Sequence, residues 1–204
     1  MLESTVRQTS ELFSLALLGL LETLAFFVVS PILPQYVERY GAAYAEIGYF
    51  FTAYSLTWVV LQLYTGYLSD RFGKKRFVFI GLLIYGVSAL SLGLAQSFTQ
   101  LVLFRVLQGV GLGISGPAAL GLVAQFKEKG RSMAFYRTAN GAGIIIGPVL
   151  GGAVAALDIS YPFFVSGLAS LIAIVSVQYL KEEKVEAQGV KFFRSLRNML
   201  STKG

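Results

Sequence analysis

Neither cysteine nor histidine occurs anywhere in the 204 residues. No disulfide can form, the usual zinc ligands are missing, and the absent imidazole removes the commonest general base, so histidine triads and histidine-containing metal sites are excluded. There is no glycine-rich P-loop ending in lysine, so ATP would not be bound and hydrolysed here in the usual way. No nucleophile and base constellation is visible, and the expectation is a chain that is not an enzyme, with no cofactor and no metal. Charge is also scarce: 14% of residues are charged against 55% hydrophobic, a balance far from that of a soluble domain of this length.

What is abundant is long apolar sequence. A membrane-crossing helix needs about 20 mostly apolar residues, and six such windows fall at 11–35, 45–68, 77–96, 99–125, 133–157 and 160–180. A β-barrel would show short alternating segments separated by turns, whereas these runs are continuous and rich in Leu, Ala, Gly and Ile. The expected fold is therefore all-α and integral to the membrane, with six spans in residues 1–180 and a polar tail over 181–204. The first window is too long for a signal peptide and lacks a small-residue cleavage site, so it is read as a retained span.

The net charge of +6 has a simpler account than nucleic-acid binding, which is not expected. Arg71, Lys74, Lys75 and Arg76 lie between spans 2 and 3, Lys127, Lys129 and Arg131 between spans 4 and 5, and further bases follow Tyr179. The alternate connections are nearly free of them, holding Glu38, Arg39 and Glu46, an uncharged stretch at 95–100, and Asp158. The positive-inside bias then puts both termini in the cytoplasm of a multi-pass protein of the plasma (cell inner) membrane. In the tail, Val190, Phe192, Phe193, Leu196 and Leu200 alternate with Lys191, Arg194 and Arg197, the pattern of a helix lying on an anionic leaflet or of a linker towards a further segment.

Between spans 2 and 3 the chain runs Gly66-Tyr67-Leu68-Ser69-Asp70-Arg71-Phe72-Gly73-Lys74-Lys75-Arg76. Gly66 permits close helix approach, Gly73 permits a tight turn, and Asp70 can neutralise nearby cations or cap a helix. The segment resembles the signature loop of the major facilitator superfamily, matching its glycine, aspartate and basic positions in order. That resemblance implies a conformational latch in which Asp70, Arg71 and Arg76, with Gly66, Gly73 and Lys74, help to hold two halves of a transporter together on the cytoplasmic side. An ordinary basic anchor would explain the lysines and arginines but neither Asp70 nor the glycines.

Span 4 carries Arg105-Val106-Leu107-Gln108-Gly109, similar to the buried arginine motif of the same family. An arginine in lipid is costly, so Arg105 is expected to face protein or water and to have a partner. Glu22 in span 1 is the one carboxylate away from the ends of the predicted spans, and the depths of the two make pairing geometrically feasible. Gln108 and Ser115 continue a polar stripe behind Arg105, placing a cavity between spans 1 and 4. With no histidine, Glu22 is the natural proton carrier, and drug/proton antiporters of the superfamily often carry an acidic residue in their first helix. A static pair joining two helices is the other reading of Glu22 and Arg105.

Span 5 contains Gly143, Gly147, Pro148, Gly151 and Gly152 in a run similar to the motif that marks antiporters within the superfamily, although tight packing alone also explains its glycines. Span 1 ends on Pro31 and Pro34, similar to a two-proline pattern of drug/proton antiporters. Tyr54, Trp58, Gln62 and Thr65 form a stripe on span 2 that lines a cavity mouth, meets another half or anchors at the interface. Spans 3 and 6 hold few polar residues and are expected to face lipid, so the six spans divide as two three-helix repeats.

The resemblance covers nearly the whole chain and implies half of a major-facilitator-type transporter: proton-coupled efflux of small amphipathic organic molecules, with lipid, substrate and protons as partners. Uptake of a solute, or a non-transporting membrane subunit, are the alternatives. Superfamily members usually carry two six-helix halves, so a second half is expected, either from a homodimer, which is favoured, or from a separate chain or segment.

Overall fold

A computed structural model describes residues 2–126, 128–180 and 182, apart from the side chains of residues 2–9 and 44. Lys127 and the amphipathic pattern expected beyond residue 182 lie outside the described residues. Seven helices are formed: α1 (Leu2–Phe27), α2 (Leu33–Glu38), α3 (Tyr44–Phe72), α4 (Lys74–Gly93), α5 (Phe98–Val123), α6 (Lys129–Ala155) and α7 (Tyr161–Tyr179), and no strand occurs among the described residues. By length and apolarity α1, α4, α5, α6 and α7 can each cross a membrane. At 29 residues α3 is longer than any of them, but its tyrosines, threonines and Gln62 dilute its apolar content. It is the sixth long helix of the bundle.

The six long helices match the six windows, with three corrections. The first span does not run on to residue 35. It ends at Phe27, because Pro31 and Pro34 have no N–H to continue the ladder, and the chain turns at 28–32 before the short α2. Tyr36 of α2 donates to Leu92 O (2.8 Å) and Tyr40 to Ala95 O (2.6 Å), tying this corner to the end of α4. The signature segment is not a loop either: α3 continues through Asp70 and Arg71, and the reversal into α4 is made by Gly73 alone, at φ +106°. Only glycine adopts that φ without strain. The third correction concerns glycines. Those of α5 approach neighbours as closely as most of the α6 set, whereas a Cβ on Gly48 or Gly66 of α3 would meet nothing, so Gly66 makes no close helix approach among the described residues.

Contacts order the bundle as α6–α1–α7–α4–α5–α3, a curved wall whose two ends, α6 and α3, do not close on each other. Exchanging the triplet α1, α3, α4 with α5, α6, α7 maps the α1–α6 contact onto α5–α3 and the α1–α7 contact onto α5–α4, and returns α4–α7 to itself. The bundle is thus two inverted three-helix repeats, as the sequence suggests.

Close crossings hold these pairs. A Cβ on Gly143 would lie 2.8 Å from Leu20 O, one on Gly147 2.8 Å from Phe27 Cβ, and one on Gly151 would strike Val28 O, so the four-residue spacing of α6 seats it on α1. Gly152 points to open space, and α6 remains helical through Pro148. On the other repeat Gly109 and Gly113 of α5 meet Tyr54 O and Leu61 Cβ of α3, and Gly111 meets Gly81 O of α4.

The helices α4 and α7 were expected to face lipid, and each does so on one side only. Ile80, Leu83 and Val87, and Leu168, Ile172, Val175 and Tyr179, are exposed at helical spacing. Their other faces are among the most covered in the bundle and carry buried serines: Ser166 donates to Ala25 O (2.5 Å) and Ser170 to Leu82 O (2.8 Å).

Candidate functional site

The inner side of the curved wall encloses a cavity of about 680 Å³. Its α1 face presents Glu22, Thr23, Phe26 and Phe27, and the α3 face Tyr54, Trp58 and Gln62. Behind these lies α5 with Leu112, Gly116, Pro117 and Leu120, and α6 closes the far side with Tyr136, Arg137 and Asn140. Phe26, Tyr54 and Trp58 form one aromatic surface, with neighbouring ring centroids 5.9 and 6.4 Å apart. The tyrosine, tryptophan and glutamine of α3 thus line the cavity, where the sequence reading favoured interfacial anchoring for the aromatics.

Glu22 is held by two hydroxyls. Tyr136 of α6 donates to Oε2 at 2.9 Å and Ser115 of α5 to Oε1 at 3.3 Å. The elements that place them are clear: Gly143 and Gly147 bring α6 against α1, and Asn140, its amide turned to donate, bonds Gly19 O (2.9 Å) and Tyr136 O (3.0 Å) across the same crossing. The carboxylate therefore sits where α1, α5 and α6 converge, and both its donors are uncharged. A hydroxyl can donate to a carboxylate and accept from a carboxylic acid, so this cradle accommodates either protonation state without breaking an ion pair.

The expected partnership of Glu22 with Arg105 is not formed. Ser115, level with Glu22, lies ten residues beyond Arg105 on α5, about 15 Å along the axis. Arg105 is fully buried against α3 instead: its guanidinium lies 4.1 Å from the Tyr54 ring centroid and 5.5 Å from that of Phe50, and it donates to Gln108 Oε1 at 2.7 Å. A cation on aromatic faces is stabilised by their quadrupoles. Arg105 Nε, Gln108 Nε2 and the Tyr54 hydroxyl have no hydrogen-bond partner among the described residues. The polar stripe of α5 thus splits, Arg105 and Gln108 turning to α3 and Ser115 to Glu22.

At the signature segment, Asp70 pairs with Lys74 Nζ at 2.5 Å while keeping 43% of its side chain exposed. The Lys74 stem is buried over Gly121 of α5, Arg71 rests on the Phe72 ring (5.3 Å), and Arg76 is exposed. Glu182 had no place in the sequence reading beyond the polar tail. Its carboxylate accepts from the backbone N–H groups of Lys74 and Lys75, capping α4, while Lys75 Nζ donates to Gln178 O (2.7 Å) and Leu180 O (3.0 Å) at the end of α7. Anion at a helix start and cation at a helix end are the favourable pairings with the two helix dipoles. Tyr136 also escaped the sequence reading, since a tyrosine close to a basic connection resembles an interfacial anchor; its signal was its place one turn before Asn140 on the glycine-bearing helix.

Comparison with known proteins agrees with this architecture. The model of the Major Facilitator Superfamily matches residues 15–202. Curated relatives include the quinolone resistance protein NorA of Staphylococcus aureus (strain Mu50 / ATCC 700699), 28% identical over 180 residues that make up 86% of this chain and 46% of that protein. Multidrug resistance protein 2 of Bacillus subtilis (strain 168) is 32% identical over 159 residues, 76% of this chain and 40% of that protein. Among solved structures, the human organic anion transporter MFSD10 (TETRAN) superposes with a TM-score of 0.73 at 19% identity, covering 88% of this chain and 49% of that one. The chain spans about half the length of these relatives. A motif-bearing six-helix wall with inverted repeats, matched almost end to end by the family, identifies this chain as a multi-pass membrane protein of the Major Facilitator Superfamily.

Proposed function

We propose that the chain forms one half of a proton-coupled exporter of small amphipathic organic molecules, with Glu22 as the site at which proton and substrate cation alternate. The observation that carries this reading is the Glu22 carboxylate at the wall of an aromatic cavity, held among the described residues by the neutral hydroxyls of Tyr136 and Ser115 alone. A carboxylate charge in apolar surroundings requires a counter-charge or a proton. An organic cation bound against Phe26, Tyr54 and Trp58 supplies the first, and protonation makes it unnecessary. Occupancy by one opposes occupancy by the other, which is the logic of exchange. The names of the bacterial relatives, resistance proteins for quinolones and multiple drugs, favour export.

In this reading the basic connections α3–α4 and α5–α6 face the cytoplasm of the plasma membrane, with both termini on that side. The open edge between α3 and α6 receives a second six-helix half, a second copy of this chain being the favoured occupant and a separate chain or segment the other. The half-exposed Asp70 carboxylate stands at this edge, free on one side to meet the cytoplasmic end of the partner's α6. Arg105, packed on α3, holds the cavity wall.

Reconstitution of the chain in liposomes, with substrate-dependent proton flux as the readout, tests this function. Flux in the wild type that is lost in Glu22→Gln is expected. Flux that survives Glu22→Gln would remove Glu22 from the exchange, and a folded wild type without flux would show that a different chain or segment must supply the second half.

A further inference from the structure

Arg105 is the most deeply buried charged side chain among the described residues, 1% exposed, and it makes no ion pair among them. A guanidinium keeps its charge in a protein. The faces of Phe50 and Tyr54 offset part of the cost of burying it, but they do not balance a full charge. The hydrogen bonding around it is also one-sided. Arginine only donates, so the oxygen of Gln108, 2.7 Å from Arg105, is the atom of that amide that must face it. The Gln108 NH2 group is then turned elsewhere, and it is one of three unpaired groups here, with Arg105 Nε and the Tyr54 hydroxyl. All three donate, and only the hydroxyl can also accept. A water accepts from two donors at most and brings two hydrogens of its own, whereas an anion accepts from every donor and supplies the missing charge.

We propose that Arg105, Gln108 and Tyr54 form a binding site for a halide, chloride in the first place, beside the cavity. Size sets the class of ligand: Arg105, Gln108 and Tyr54 are 1%, 0% and 4% exposed, surroundings too closed for an organic anion or a phosphate. The frame is rigid, because Gly109 brings α5 against the backbone of α3 at Tyr54, where a Cβ would lie 2.7 Å from Tyr54 O. The cavity gives the way in. Tyr54 carries Arg105 on its ring and also lines the cavity, as does Leu112, one turn beyond Gln108 on α5. The site is separate from the carboxylate: Ser115, which meets Glu22, lies ten residues beyond Arg105, about 15 Å along the axis. The proposal therefore does not rest on the exchange reading of Glu22.

Thermal unfolding of the full chain in lipid nanodiscs, in sodium chloride or sodium gluconate at equal ionic strength, tests the site without requiring transport. A ligand that binds only the folded chain raises its melting temperature in a saturable way, and wild type is expected to melt about 5 °C higher in saturating chloride than in gluconate. Gln108→Glu sets a carboxylate of the same size against Arg105. Its melting should be as high in gluconate as in chloride, because the chain then carries its own anion. Tyr54→Phe keeps the ring under Arg105 and removes one donor, so the chloride concentration at half-saturation should rise about tenfold, the scale of one hydrogen bond to a charged group. Equal melting of wild type in the two salts, a chloride effect of wild-type size in Gln108→Glu, or an unchanged half-saturation in Tyr54→Phe overturns the proposal. If Gln108→Glu does not fold, the chloride titrations of wild type and Tyr54→Phe decide alone.

Discussion

The two sides of the curved wall are built from the same apolar residue types and treat their polar groups in opposite ways. On the α4–α7 side the buried polar groups, Lys74 at the start of α4 apart, are serines, and each serine is closed on a backbone carbonyl: Ser88 on Ile84, Ser166 on Ala25, Ser170 on Leu82 and Ser176 on Ala173. A hydroxyl that has donated to a carbonyl within the bundle has little left for a ligand. On the cavity side, Glu22, Arg137 and the α3 residues reach into open space with binding capacity to spare. The difference teaches that polarity in a membrane helix indicates function where the group is long, ionic and incompletely engaged, and architecture where it is short and satisfied at once.

The sharpest way to break the comparison is to attack the crossing that joins the two sides. A side chain at Gly151 would strike Val28 O, whereas one at Gly152, the next residue, would meet nothing within 4 Å. Gly151→Val is expected to destabilise the bundle by about 3 kcal/mol or more, since overpacking against backbone cannot be relieved by a rotamer change. Gly152→Val should melt within a degree or two of wild type in detergent. Equal melting of the two variants would show that α6 does not seat on α1 in this register.

Next in size is the carboxylate cradle. Tyr136→Phe keeps the ring and removes the donor to Glu22 Oε2, so substrate affinity or exchange should fall by about 2 kcal/mol, the scale of a hydrogen bond to a charged group. Ser115→Ala removes the longer 3.3 Å bond and should have a smaller effect in the same assay. If Tyr136→Phe lowers thermal stability instead and leaves binding intact, the cradle belongs with the structural serines.

Much of this was legible in the sequence, and the misses have physical causes. Six helices follow from apolar runs long enough to cross a bilayer, and Glu22 and Ser115 stood out as polar groups inside such runs. Depth was harder. It can be counted only from a span's ends, and hydropathy does not see that Pro31 and Pro34 stop the first helix at Phe27, eight residues before the expected end. An error of eight residues is about 12 Å, enough to place Arg105 beside Glu22 when it lies some three turns away, on Tyr54. Glycine patterns showed that α6 packs closely but not against which helix, and the closing of α4 and α7 by Glu182 depended on a carboxylate that composition assigns to the tail.

The smallest expected effect concerns the serines of the covered side. Ser170→Ala removes a hydroxyl whose acceptor, Leu82 O, lies inside α4, and Ser166→Ala leaves Ala25 O with the Tyr85 hydroxyl at 3.4 Å, so no buried carbonyl is left wholly unpaired. Interhelical hydrogen bonds in membranes average about 0.6 kcal/mol, and the double variant should lose about 1 kcal/mol of stability if the two sites act independently. Neither serine lines the cavity, so ligand binding read from the emission of Trp58, a residue of its wall, should be unchanged. A binding change in the double variant, with stability intact, would mean that the α4–α7 side is coupled to the cavity through Ala25, whose carbonyl Ser166 holds three residues from Glu22 on the same helix, and the division between a structural and a functional side would then fail at that point.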